Sequence, residues 1–140
     1  MQLKFPVMSI SKYILAQPTE RQQLLRDIHT VIIETDKSID AGVELMMGKE
    51  MVVYKTFGFF KYGLSSVKNY MSLHVMPIYA SPVLYSRYKD LLPKATFQKG
   101  CINFKNATEM PLHIVKQLLA DCSKVDLQKI KEDYSRSKKP

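Results

Sequence analysis

The sequence has no apolar run near the roughly 18 residues that a membrane-crossing helix needs. Its first residues, MQLKFPVMSISKY, put Pro6 and polar side chains where a secretory signal requires an apolar core. A cytoplasmic protein with no membrane partner is therefore expected. Cysteine is scarce: Cys101 and Cys122 stand alone and far apart, which excludes a disulfide framework and leaves each as a small apolar side chain in a reducing compartment. Neither Cys-x-x-Cys nor His-x-x-x-His occurs, and His29 and His113 lie on helical stretches with no carboxylate at ligand spacing, so no structural zinc site is expected. The five glycines are scattered, leaving no loop to cradle a phosphate. Repeats and low-complexity tracts are missing too. No cofactor is expected.

What is present is the composition of one soluble globular domain. The 140 residues are 46 % apolar and 24 % charged, enough to bury a core without metal or disulfide staples. A single domain over 1–140 is expected, with a core over 9–125 and a C-terminal helix and basic tail over 126–140. The formal net charge is +8. Positive excess attracts nucleic acid and acidic proteins, but it also keeps a protein soluble. Lysines run from Lys4 to Lys139, and only the tail KIKEDYSRSKKP is locally dense. Nonspecific nucleic-acid binding through Lys124 to Lys139 is an alternative function, ranked lower because Asp121, Asp126, Glu132 and Asp133 interrupt the basic stretch.

Periodicity lays out the elements. Ser9 caps a short helix to about Gln17, and Thr19 with Gln22 has capping-box spacing before the apolar stripe Leu24, Leu25, Ile28, Val31 and Ile32. Strand one alternates around Val43, Leu45 and Met47. Gly48 and Lys49 supply its turn, and Met51 to Phe57 returns as strand two. KYGLSSVKN reads as a long connection because Gly63, two serines and Asn69 cluster there. In strand three, Met71, Leu73 and Val75 oppose Tyr70, Ser72, His74 and Met76. Ser81-Pro82 starts a helix that Pro93 stops. Gly100 opens a strand in which Ile102 and Phe104 oppose Cys101, Asn103 and Lys105. Pro111 lies in the first turn of a helix with the stripe Leu112, Val115, Leu118, Leu119 and Cys122. Asp126 caps a last helix, in which Val125 packs on Ile130 and SRSKKP frays. Helices at both ends of an antiparallel meander predict an α+β fold, about five strands with helices on one face.

Glu44, Gly48 in its turn, the run VVYKTFGFFKYG, the segment QKGCINFK and the Pro111 helix together resemble the YdhG-like family, a domain of unknown function described as frataxin-like in fold. The resemblance spans roughly Ser9 to Val125, and Glu44, Gly48, Gly100 and Phe104 are the positions that carry over. It implies iron delivery as a second alternative function. Its candidate ligands are Glu34, Asp36, Asp40 and Glu44, with Glu20 and Asp27 on the helix before them. Against it, the net charge repels cations, and Arg21, Arg26 and Lys37 lie within a turn of those acids.

The strand pattern puts a polar and aromatic set, Glu44, Tyr54, Tyr70, Ser72, His74, Cys101 and Asn103, on alternating positions of the face that the helices leave free. The leading expectation is a non-enzymatic module that binds a small molecule or a protein there. Cys101 and His74 form the one pair that could share that face as nucleophile and base, with Glu44 as third member, but nothing in their spacing sets them above a half-buried thiol and a surface imidazole. No catalytic residue is assigned.

Overall fold

The computed structural model describes residues 8–127 and Lys129. The expectations about Pro6, the packing of Val125 on Ile130, the SRSKKP tail and most of the basic stretch from Lys124 to Lys139 lie outside the described residues. Two tight turns set the first hairpins. β1 (Ile39–Met46) and β2 (Lys49–Thr56) are joined through Met47 and Gly48, at φ 51° and 80°. β2 and β3 (Phe59–Ser66) are joined through Phe57 and Gly58, at φ 49° and 81°. Positive φ at both central positions gives the turn a twist that matches paired strands, and glycine takes the second position without strain. The first turn thus falls one residue earlier than Gly48-Lys49.

β3 corrects the reading of KYGLSSVKN as a connection. Tyr62 and Leu64 alternate into the core, while Gly63 and Ser65 face the other way. Gly63 serves a close approach, not a turn: a Cβ there would meet the Phe60 ring at 2.7 Å. Composition alone does not separate those two uses of glycine. A bulge between Tyr54 and Lys55 in the pairing of β2 with β3 leaves Lys61 as the extra residue.

β4 (Met71–Val75), β5 (Thr96–Gln98) and β6 (Cys101–Phe104) complete a six-stranded antiparallel sheet in the order β1-β2-β3-β4-β6-β5. β5 was not foreseen; it is three residues long, too short for alternation to stand out. Five helices are described: α1 (Ile10–Leu15), α2 (Thr19–Thr35), α3 (Met76–Ala80), α4 (Pro82–Leu91) and α5 (Leu112–Ser123). Ser9 caps α1 by accepting from the Lys12 N–H, Ser81 caps α4 by accepting from the Leu84 N–H, and Asp126 accepts from the Lys129 N–H. The capping box at α2 does not form. Pro18 occupies the N-cap without a side-chain bond, and Gln22 Nε2 instead donates to the Leu15 and Gln17 carbonyls at the end of α1.

One face of the sheet is the core face. Val43, Val52, Tyr54, Tyr62, Leu64, Leu73, Val75, Ile102 and Phe104 are buried there against Leu25, Ile28 and Ile32 of α2 and Val115, Leu118 and Leu119 of α5. These side chains form one cluster. Arg21 of α2 fastens the β3–β4 connection, its guanidinium donating to Ser66 Oγ at 2.8 Å and to the carbonyls of Val67 and Lys68 at 2.5 and 3.1 Å. Hydrogen bonds from a charged donor stabilise by about 1.5–3 kcal/mol. Arg21→Ala is accordingly expected to lower the unfolding free energy by about 2 kcal/mol in a urea titration, and Arg21→Lys, which lacks the planar fork, to recover less than half of it.

Candidate functional site

Among the described residues, the core helices α2 and α5 leave the opposite face uncovered. Pairing across the strands fixes its two central rows: Glu44, Met51, Ser65, Ser72, Asn103 and Thr96 in one, and Gly42, Val53, Gly63, His74, Cys101 and Gln98 in the next. Alternation places Ser72, His74, Cys101 and Asn103 side by side there, as expected from the sequence. Tyr54 is a correction. Its register partners Ala41 and Tyr62 put it on the core face, fully buried, with its hydroxyl 2.7 Å from His29 Nδ1. It sits one residue out of phase with the open-face positions of β2, and in a strand that one step changes the face. Burial raises the Tyr54 pKa and lowers that of His29, so the pair is neutral and structural.

The remaining candidates divide among three places. Glu44 pairs with Lys55 of β2 at 3.0 Å, and β2 and β3 separate it from His74, so the triad of Cys101, His74 and Glu44 is not assembled. Tyr70 and Asn103 border a shallow hollow of about 250 Å³ with Thr96, Gln98 and Glu109. Ser72 hydrogen-bonds Asn103, whose amide donates to Gln98 Oε1 at 3.0 Å. His74 and Cys101 are in contact, Nδ1 to Sγ at 2.9 Å, and His74 Nε2 lies 3.4 Å from Ser65 Oγ. The arrangement suits an Nε2–H directed at the serine oxygen and a bare Nδ1 accepting from the thiol.

This pair lies in a groove of about 400 Å³ that also takes in Met46, Met47, Met51, Phe60, Met76 and Tyr79. Gly63 makes the groove. Having no side chain, it lets Phe60 lie across β3 and brings the Met51 sulfur to 3.2 Å from where a Cβ would stand. Phe60 then meets His74 edge-on, ring centroids 6.4 Å apart. At the far end α3 continues directly from β4, so that Ile78 enters the core and Tyr79, 58 % exposed, overhangs Gly100. Lys99, at φ 53°, is the only charged residue of the lining among the described residues. Burial lowers the His74 pKa and raises that of Cys101, so both are neutral near pH 7.

No family model, curated protein or solved structure matches this chain. The site is therefore read from its chemistry. Half of the chain's eight methionines line one groove, and soft, flexible thioethers are the side chains that adapt to varied apolar shapes. Sequence reasoning found the polar floor but missed these walls. Met46 and Met76 share the alternation of Glu44 and His74, which was available as a signal. Met47 stands in a turn, Phe60 near the start of β3 just before the stretch read as a connection, and Tyr79 in α3, beyond the Pro77 that is read as the end of a strand.

The acidic set named for iron does not converge. Asp36 is buried and bonded to Lys61 at 2.7 Å, and Glu44 is held by Lys55. Among the described residues no three of His, Cys, Asp or Glu gather as a metal-binding group, and no helix is long and apolar enough to cross a membrane.

Proposed function

We propose that this chain is a non-enzymatic binding module whose open sheet face takes up a small, flat, uncharged or anionic molecule in the methionine-lined groove. The supporting observation is the lining itself: thioethers and the rings of Phe60 and Tyr79 around a neutral His74–Cys101 floor, with Lys99 as the one charge among the described residues. About 300–1,000 Å³ is the usual size of a small-molecule site, predominantly apolar with few polar groups. Catalysis is disfavoured by the thiol's raised pKa and by the lack, among the described residues, of a carboxylate to orient His74. Membership of the YdhG-like family, with a frataxin-like fold, belongs to the same proposal. It is supported by the helices α2 and α5, which pack on each other on one face of an antiparallel sheet.

Anilinonaphthalene sulfonate, a flat aromatic anion, is the probe that tests the groove. The natively folded protein is expected to bind one dye per chain, with fluorescence enhancement that is weakened by Lys99→Glu and lost in Met51→Glu. Dye binding unchanged in Met51→Glu would remove the groove from the reading.

A further inference from the structure

We propose that the His74–Cys101 end of the groove binds a soft monovalent metal ion, Cu(I), through the Cys101 sulfur, His74 Nδ1 and a thioether from Met51 or Met76. The inference goes beyond the small-molecule reading and rests on it only in using the same open groove. Its geometric basis is convergence. Nδ1 and Sγ are 2.9 Å apart, so one ion can reach both atoms once the thiol proton has left and the two side chains have parted slightly to admit it. Ser65 Oγ, near Nε2, favours the tautomer that leaves Nδ1 free to ligate, as second partners of metal-binding histidines do. Met51 lies against Gly63, the cross-strand partner of His74, and Met76 follows His74 by two residues.

Charge and softness decide which ion. Thiolate, thioether and imidazole select Cu(I), whereas carboxylate and water suit harder divalent ions, and among the described residues no carboxylate lines the groove. Binding of Cu(I) releases the thiol proton to solvent and forms the S–Cu bond, so the thiolate–metal unit is neutral overall. A divalent ion on the same single thiolate leaves a net positive charge in an apolar groove beside Lys99, which is costly. Zinc would in addition lack the four N, S or O ligands it normally takes. The metal stays Cu(I) throughout, and no electron is transferred.

The test is anaerobic competition for Cu(I) against a coloured chelator such as bicinchoninate, repeated with Ag(I) as a redox-inert substitute. One ion per chain is expected. Cys101→Ser should weaken binding by about a hundredfold and His74→Leu by about tenfold or more, with a smaller loss in Met51→Leu or Met76→Leu. Cys122→Ser should bind as the parent does, because Cys122 is fully buried on α5. Circular dichroism establishes that each variant is folded, and Cys101→Ala provides a second replacement of the thiol. Affinity retained in both Cys101 variants, or Zn(II) binding as tight as Cu(I), overturns the proposal. Anilinonaphthalene sulfonate keeps the two readings apart: absent metal binding with intact dye binding refutes the metal site alone, and loss of both refutes the groove.

Discussion

Asp36→Ala is expected to destabilise the protein by about 3–5 kcal/mol, the size typical of stranding one member of a buried ion pair. Asp36 and Lys61 are only 2 % and 3 % exposed at the side chain, with Nζ 2.7 Å from Oδ2. The same carboxylate accepts from the Tyr62 hydroxyl at 2.7 Å and from the Ser38 hydroxyl at 2.6 Å. Its removal leaves an ammonium and a phenol without an acceptor. The interaction is specific more than it is strong, since a buried pair gives back in desolvation much of what it gains by attraction. A triple variant, Asp36→Leu with Lys61→Met and Tyr62→Phe, should therefore recover most of the loss in a denaturant titration. A triple variant as unstable as Asp36→Ala would show that the pair contributes net stability.

The same residue sets an acid limit. Burial alone would raise the Asp36 pKa, but the bonds from Lys61, Ser38 and Tyr62 outweigh it and hold the value below the ordinary 3.8. A carboxylate depressed in the folded state contributes stability that is fully present above its unfolded pKa and is lost as pH falls through the folded one. The parent should lose stability in that acid window, and Asp36→Ala should lose correspondingly less there.

Gly63→Val is the second large effect, and it falls on binding. Its two added γ-carbons would enter space held by the Phe60 ring and the Met51 sulfur, since even a Cβ would lie 2.7 Å from Phe60 Cζ. Both neighbours are side-chain ends that can swing away, and the place open to them is the groove. Overpacking of this kind costs about 1–3 kcal/mol. Displacement of Phe60 into the groove should reduce dye affinity by at least about tenfold, equivalent to about 1.4 kcal/mol. Gly42→Val is the control, because nothing lies within 4 Å of a Cβ at Gly42 on the same face. Equal loss of affinity in both variants would mean that Gly63 does not shape the site.

The fold was legible where one rule acted alone. The stripes of α2 and α5 and the alternation of β4 and β6 read directly from spacing, since each element buries a single face. β3 was hidden because Gly63 and two serines carry turn composition while serving as open-face residues of a strand. The capping box failed because Pro18 already holds the N-cap position of α2, so Thr19 is the first residue inside the helix, where its side chain does not cap. On the candidate site, the alternation that placed His74 beside Cys101 is a property of consecutive residues and can be read locally. The bulge at Lys61, the tilt of Phe60 over Gly63 and the overhang of Tyr79 arise from contacts between distant segments, and no local pattern records them.

Methyl-labelled methionine provides the most direct measurement of whether the open face is the binding surface. Met46, Met47, Met51 and Met76 line the groove, whereas Met71 and Met110 are buried in the core behind the sheet. With the methyl resonances followed by NMR during addition of anilinonaphthalene sulfonate, the four groove methionines are expected to shift together along one saturation curve while Met71 and Met110 stay in place. Saturable binding that moves Met110 and leaves Met51 and Met76 unmoved would contradict a site on the open face.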